Sequence, residues 1–139
     1  METVTDNQKL KVAKKLKKMF GHIDLKTETY CPIRDVMALA SDKWSILIML
    51  YLGYFPVLRF NKLKKYVYGI SNKVLSERLK MLESDGYLTR TMYPEVPIRV
   101  EYQLTNFGHS YLRKLLELTE WATSHGDTVI KNRKKFKTA

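Results

Sequence analysis

A cluster of cations between residues 59 and 80 is the strongest chemical feature of the sequence. The stretch contains one acid, Glu77, whereas residues 21–58 and 81–130 on either side are slightly acidic. Cations concentrated in this way favour a polyanion, because neutralising phosphates releases the counterions condensed on a nucleic acid. A solvated helix face carries similar charge, so charge alone leaves both interpretations open. The cations are Arg59, Lys62, Lys64, Lys65, Lys73, Arg78 and Lys80.

The single cysteine, Cys31, is the second candidate for chemistry. It precedes Pro32 at a predicted helix start, where the helix dipole and Arg34 would favour the reactive thiolate. The alternative is a small buried side chain that seals the start of the helix. One cysteine excludes an intrachain disulfide and a multi-thiolate zinc site, which is typical of a reducing compartment.

The remaining composition argues against catalysis and metal binding. The chain has 139 residues, a formal charge of +11 and 45% hydrophobic residues, which describes one small globular domain. No nucleophile with a base, no carboxylate pair and no phosphate-cradling glycine loop occurs at a usable spacing, so we predict no enzyme and no cofactor. The histidines share no ligand spacing, and we predict no metal site; they are His22, His109 and His125.

The location of the protein is predicted from its apolar runs. The longest, residues 46–54, is about half of what a membrane span requires. The first twenty residues are lysine-rich and lack the apolar core of a secretory signal. We therefore expect a cytoplasmic protein without a membrane partner.

Apolar periodicity predicts the elements that position these residues. Helices are expected over residues 6–20, from Pro32 to about residue 40, over 43–52, 59–67 and 71–84, and from Thr105 onward. Residues 87–93 and 99–104 alternate as strands and form a hairpin with a proline-stiffened tip. The lysine-rich end from Lys131 is expected to fray.

Two short helices joined by a glycine turn and followed by a hairpin indicate a winged helix-turn-helix, mainly α with a small β-hairpin wing. The helix over 71–84 would enter the major groove, and the wing would reach nearby phosphates or the minor groove. For Arg78, a phosphate contact or an internal ion pair such as one with Glu83 fits equally. Arg99 could reach phosphate or stay in the sheet. The predicted DNA contacts are Arg59, Asn61, Lys64, Ser71, Asn72, Lys73, Ser76, Arg78, Lys80 and Arg99.

A run of ordered motifs strengthens this interpretation. They are Cys31-Pro32, Lys43-Trp44, Arg59-Phe60-Asn61-Lys62-Leu63, Gly69-Ile70-Ser71, the residues 74–80, Glu83, Asp85-Gly86, Tyr93-Pro94-Glu95-Val96-Pro97 and Arg99-Val100-Glu101-Tyr102. Between residues 30 and 122 the chain resembles the HxlR-type regulators, homodimeric winged-helix transcription factors related to the MarR group. The resemblance implies a homodimer that binds a specific double-stranded DNA sequence, expected to be an inverted repeat. It also implies a possible sensing role for Cys31, which some members use to detect electrophiles or oxidants.

The predicted organisation has three parts. Residues 1–29 form a basic amphipathic helix and linker, residues 30–104 the DNA-binding domain, and residues 105–139 a dimerisation helix with a basic tail. We predict a dimer in which the helix from Thr105, aided by the helix after Cys31 and by the N-terminal helix, packs against its symmetry mate. The reason is surplus apolar surface that a compact winged helix cannot cover: Leu112, Leu115, Leu118 and Trp121, together with Leu10, Leu16 and Phe20. A non-specific nucleic-acid-binding protein is the alternative, and an anionic-membrane anchor fits residues 10–20 alone.

Overall fold

The chain folds into two units, residues 1–41 and 42–139, of which the computed structural model describes residues 3–22 and 30–139. In the first unit, helix α1 runs Asp6–Phe20. Thr5 and Gln8 form a reciprocal capping box: Thr5 Oγ1 accepts the N–H of Gln8 at 3.2 Å, and Gln8 Oε1 accepts the N–H of Thr5 at 2.8 Å. The predicted amphipathic helix is confirmed.

Two short turns replace the regular helix predicted after Cys31, and that prediction is wrong in its geometry. Pro32–Val36 is one π-helical turn and Met37–Ser41 is a 3₁₀ helix. The N–H of Met37 donates to the carbonyl of Pro32, which closes the wide turn, while the Asp35 carboxylate accepts the N–H of Cys31 at 2.7 Å. Apolar spacing could not distinguish these turns from an α-helix, because all three repeat every three to five residues.

The second unit contains four helices and three strands among its residues 42–139. In chain order they are α2 (Lys43–Tyr54), β1 (Leu58–Arg59), α3 (Phe60–Tyr66), α4 (Asn72–Ser84), β2 (Leu88–Tyr93), β3 (Arg99–Leu104) and α5 (Asn106–Thr138).

Helix α2 is the centre of this unit, as its apolar circumference predicts. It packs against α3, α4, α5 and β3, and its buried residues are Ser45, Ile48, Met49 and Leu52. Asp42 caps its first turn by accepting the N–H of Ser45 at 3.1 Å.

The sheet has three antiparallel strands in the order β1-β3-β2, not the two of the predicted hairpin. Strand β1 pairs Leu58 with Tyr102 and Arg59 with Glu101. Arg59 therefore ends a strand and occupies the N-cap position of α3 without a side-chain capping bond, whereas the sequence placed it inside the helix. Two residues are too few for a period-two pattern to show, which is why periodicity missed β1.

Helix α4 matches its prediction. Ser71 caps it by accepting the N–H of Val74 at 3.1 Å, and Leu75, Leu79 and Leu82 are its buried residues. The turn that joins α3 to α4 passes through Gly69 at φ +87°, a left-handed conformation that favours glycine.

Helix α5 is longer than predicted, because it continues to Thr138 through the lysine-rich segment expected to fray. Its start passes so close to the residue before β2 that a Cβ at Gly108 would clash with the carbonyl oxygen of Tyr87. Leu115 is buried and Leu112 contacts Gly53 of α2, so these two leucines belong to the core of one chain. The predicted surplus surface is therefore smaller on α5, where Leu118 and Trp121 are exposed. In α1, Leu10, Leu16 and Phe20 are exposed as predicted.

An ion pair connects α4 to the start of α2. Arg78 Nε donates to Asp42 Oδ2 at 2.7 Å, and the same oxygen accepts both the N–H and the hydroxyl of Ser45. Burial raises the pKa of Asp42, but the hydrogen bonds from Ser45 and Arg78 outweigh it and hold the pKa below its ordinary value. The carboxylate therefore stabilises the fold in its charged form.

The Asp42–Arg78 pair gives a testable pH dependence. We expect Asp42→Asn, which keeps a helix cap but loses the charge, to lower the free energy of unfolding by roughly 1 kcal/mol near pH 6. Because the folded-state pKa is lowered, this contribution is complete above the unfolded pKa of about 3.9 and is lost as pH falls through the folded-state pKa.

Urea unfolding at pH 6 and pH 3 measures this difference. The gap between wild type and Asp42→Asn should shrink at pH 3, and Asp127→Asn on exposed α5 serves as the matched control. An equal gap at both pH values would show that Asp42 does not act through its charge.

Candidate nucleic-acid interface

The outward side of α4 presents a set of exposed polar residues, here called the polar face of α4: Asn72, Lys73, Ser76 and Lys80. The three buried leucines hold the opposite side against the core. Among these residues, Asn72, Lys73 and Ser76 lie in the first turns, beside the backbone N–H groups of the helix start. Short and flexible polar side chains at that position can approach base edges or phosphates.

A lysine of α3 lies beside the turn before α4. Lys64 of α3 is exposed, and its Nζ donates to the carbonyl of Ile70 at 3.3 Å. Ser71 is exposed while its hydroxyl caps α4. Lys64 and Ser71 thus flank the start of the helix that carries the polar face.

Arg78 is engaged inside the chain. Besides its contact with Asp42, its Nη1 lies 4.0 Å from Glu77, and its side chain is 30% exposed. Of the two possibilities that the sequence left open, the structure shows an internal ion pair, with Asp42 rather than Glu83 as the partner. The sequence could not supply that partner, because the two residues are 36 positions apart.

Arg99 is held within the wing. Its guanidinium contacts Glu95 and Glu101, each at 3.1 Å, and lies 3.8 Å from the ring centroid of Tyr93. Two carboxylates match its single positive charge. This arrangement fixes the shape of the wing.

A groove of about 360 Å³ between α3 and the end of the wing brings three of the predicted residues together. They are Arg59, Asn61 and Arg99, with Phe60, Pro97, Ile98 and Val100 completing the lining. Arg59 and Asn61 are exposed there, so their side chains are accessible from solvent.

A second groove of about 360 Å³ lies between α4 and the sheet, and we call it the wing groove. Its lining consists of Ser76, Leu79, Lys80, Glu83, Arg90 and Tyr102. Arg90 is absent from the contacts predicted from the sequence. The alternation of residues 87–93 was the available signal, since it places Arg90 on the same side of the hairpin as buried Leu88.

Cys31 is buried, and its backbone N–H donates a hydrogen bond to the carboxylate of Asp35. Arg34 also binds Asp35, with 3.0 Å between Nε and Oδ1. The positive charge expected to favour the thiolate is therefore matched by a carboxylate next to it. The described residues offer neither a metal-binding cluster nor a single membrane-spanning helix. Across residues 3–22 and 30–139, no group of three histidine, cysteine or acidic residues could hold a metal ion. In the same ranges, no single helix is long and apolar enough to span a bilayer.

Comparison with known proteins places this arrangement in a family. The HxlR-like helix-turn-helix family matches residues 39–129. YtfH of Escherichia coli K12, an uncharacterized HTH-type transcriptional regulator, is 38% identical over 91 residues, covering 66% of this chain and 71% of YtfH.

Solved structures of transcriptional regulators are also similar to this chain. The regulator ytfH from Salmonella typhimurium has a TM-score of 0.72 and 34% identity, covering 81% of this chain and 99% of its own. The redox regulator HypR in its oxidised form has a TM-score of 0.62 and 31% identity, covering 68% of this chain and 96% of its own.

The family match begins before α2 and includes the helix-turn-helix, the wing and most of α5. It leaves α1, Cys31 and the last ten residues outside. With the polar face of α4 and the wing beside it, the chain is a DNA-binding transcriptional regulator that belongs to the HxlR-like helix-turn-helix family.

Proposed function

We propose that the protein binds a specific double-stranded DNA sequence, an inverted repeat, as a homodimer in the cytoplasm and thereby regulates transcription. The polar face of α4 carries this proposal, because a helix that buries one side and exposes amide, hydroxyl and ammonium groups on the other suits the major groove. Selecting bound sequences from random duplex DNA tests it directly.

The residues have different proposed roles. Asn72, Lys73 and Ser76 approach base edges, whereas Arg59, Asn61, Lys64, Ser71 and Lys80 contact the backbone. Arg78 and Arg99 position α4 and the wing, since both guanidinium groups are already matched by carboxylates. Replacing either arginine would therefore weaken DNA binding by displacing α4 or the wing, not by removing a contact with DNA.

The second candidate is non-specific binding of nucleic acid. It is favoured by the lysines of α1 and by the end of α5, where residues 131–139 carry five cations and no acid. A protein of this kind binds all duplexes alike, whereas a regulator prefers its selected sequence over random DNA by several orders of magnitude.

The dimer is proposed from one stripe of α5. Leu118, Trp121, Val129 and Phe136 are exposed, and at 100° per residue they fall on one side of the helix. His125 lies in the same stripe and stacks on Trp121, with 4.6 Å between the ring centroids. A second copy would cover this stripe, and two-fold symmetry would place two α4 helices on half-sites about 34–36 Å apart.

Light scattering at micromolar concentration tests the dimer. We expect twice the 16.4 kDa mass of one chain, and a reduced mass for Leu118→Glu, because a charge in the stripe cannot be buried at low cost. Glu117→Gln, one position away and exposed, is the control that keeps the dimer. A monomeric wild type would contradict the proposal.

Sequence preference tests the orientation of α4. Lys73→Ala and Ser76→Ala should reduce the ratio of affinities for selected and random duplexes, because they remove groups facing the bases. Lys64→Ala should weaken binding to every duplex and lower the salt slope by about one, because it removes a phosphate contact. If Lys73→Ala left the ratio unchanged, the proposed orientation would be wrong.

Cys31 is proposed to make DNA binding responsive to oxidants, which the similarity to the redox regulator HypR supports. As the single cysteine it can form a mixed disulfide, an adduct or a bond between two protomers. In the last case, two Cys31 thiols transfer two hydrogens to diamide and join as one disulfide. Each of these products enlarges a buried residue, so local packing must change.

We expect Cys31→Ser to fold and bind DNA but to lose any response of DNA affinity to diamide or quinones. Binding is measured by fluorescence anisotropy before and after treatment, with wild type in parallel. An unchanged affinity of fully alkylated wild type would reduce Cys31 to a packing role.

A further inference from the structure

We propose that Arg90 and Lys80 together hold one backbone phosphate of the bound duplex in the wing groove. The inference rests on the proposed function, since it assumes that DNA lies on the polar face of α4. It adds a site on the wing side of that face and a residue, Arg90, that the predicted contacts do not include.

The sheet register determines where Arg90 lies. Arg90 pairs with Tyr102 across the strands, so both lie on the side of the hairpin that faces α4. Arg99 pairs with Tyr93 and belongs to the opposite side, where it meets Glu95 and Glu101. The two wing arginines therefore have separate environments.

The charge of the wing groove is available to a ligand. Lys80 and Arg90 are exposed, and within the described ranges neither forms an ion pair. Glu83 is the one acid in the lining, which leaves a net charge of +1. The buried side chains of Leu79 and Tyr102 form the apolar part of the lining and keep part of the solvent away from an anion between the two cations.

The position and the charged groups of the groove favour a phosphate over a base edge. Ser76 and Lys80 belong both to the polar face of α4 and to this groove, so the two surfaces are continuous. A duplex that accepts α4 in its major groove has a sugar-phosphate strand beside the helix, on the side where the wing lies. An arginine fork next to an ammonium is suited to the oxygens of a phosphodiester.

Salt titrations of DNA affinity test the site on the full-length protein. Arg90→Ala should weaken binding to selected and random duplexes alike, by about tenfold, and reduce the salt slope by about 0.9. Arg113→Ala, an exposed arginine of α5 with the same charge change, should leave the slope unchanged. Arg90→Lys should retain the slope, and circular dichroism checks that each variant is folded.

A single-phosphate substitution separates this site from general electrostatics. Scanning the selected duplex with neutral methylphosphonates should reveal one position whose effect disappears in Arg90→Ala. An unchanged salt slope in Arg90→Ala, or additive effects at every methylphosphonate, would overturn the inference while leaving specific DNA binding intact. Failure of the proposed function has a different signature, because wild type itself would then show no preference for any duplex.

A free inorganic anion is the other ligand that the cations of the wing groove could bind. If inorganic phosphate at millimolar concentration shifted the Arg90 side-chain resonance while Arg90→Ala bound DNA like wild type, the groove would hold a small anion. That result would overturn the assignment to a DNA phosphate.

Discussion

The orientation of α4 depends on one carboxylate oxygen. Asp42 Oδ2 accepts the N–H and the hydroxyl of Ser45 in the first turn of the central helix α2. The same oxygen accepts the Nε–H of Arg78, halfway along α4. The side chains of Asp42 and Arg78 remain 23% and 30% exposed. The ion pair therefore contributes little to the free energy of folding and acts mainly by orienting α4. With the buried leucines, it fixes the rotation of α4 about its axis and hence which side chains face outward.

Arginines in this chain divide into those that build the interface and those that remain available to it. Arg78 and Arg99 each meet carboxylates, and each connects separate segments. Arg78 of α4 binds Asp42 at the start of α2, and Arg99 of β3 binds Glu95 between the wing strands and lies over the Tyr93 ring of β2. Arg59 and Arg90 line grooves and form no ion pair within the described ranges. Charge counts along the sequence treat all four alike, whereas a phosphate can use only the cations that the fold has left unmatched.

Much of the fold follows from local sequence rules. The caps at Thr5, Asp42, Ser71 and Thr105 and the leucine spacing of α4 each involve residues close together in sequence, and the helices expected at these places are present. The partner of Arg78, strand β1 and the position of Arg90 depend instead on segments tens of residues apart. Periodicity also predicted a regular helix where the structure has a π-helical turn after Cys31. The lysine-rich composition predicted a frayed end where α5 remains helical.

The positive charge lies both within the family domain and at the end of the chain, and the two locations affect DNA binding differently. Residues 39–129, which match the family, hold 12 cations and 9 acids, whereas residues 130–139 hold five cations and no acid. Charge at a chain end attracts every phosphate equally, so it raises affinity for selected and random DNA by the same factor. The sequence preference that we propose therefore depends on the polar face of α4, where the core holds the helix that carries the amide, hydroxyl and ammonium groups.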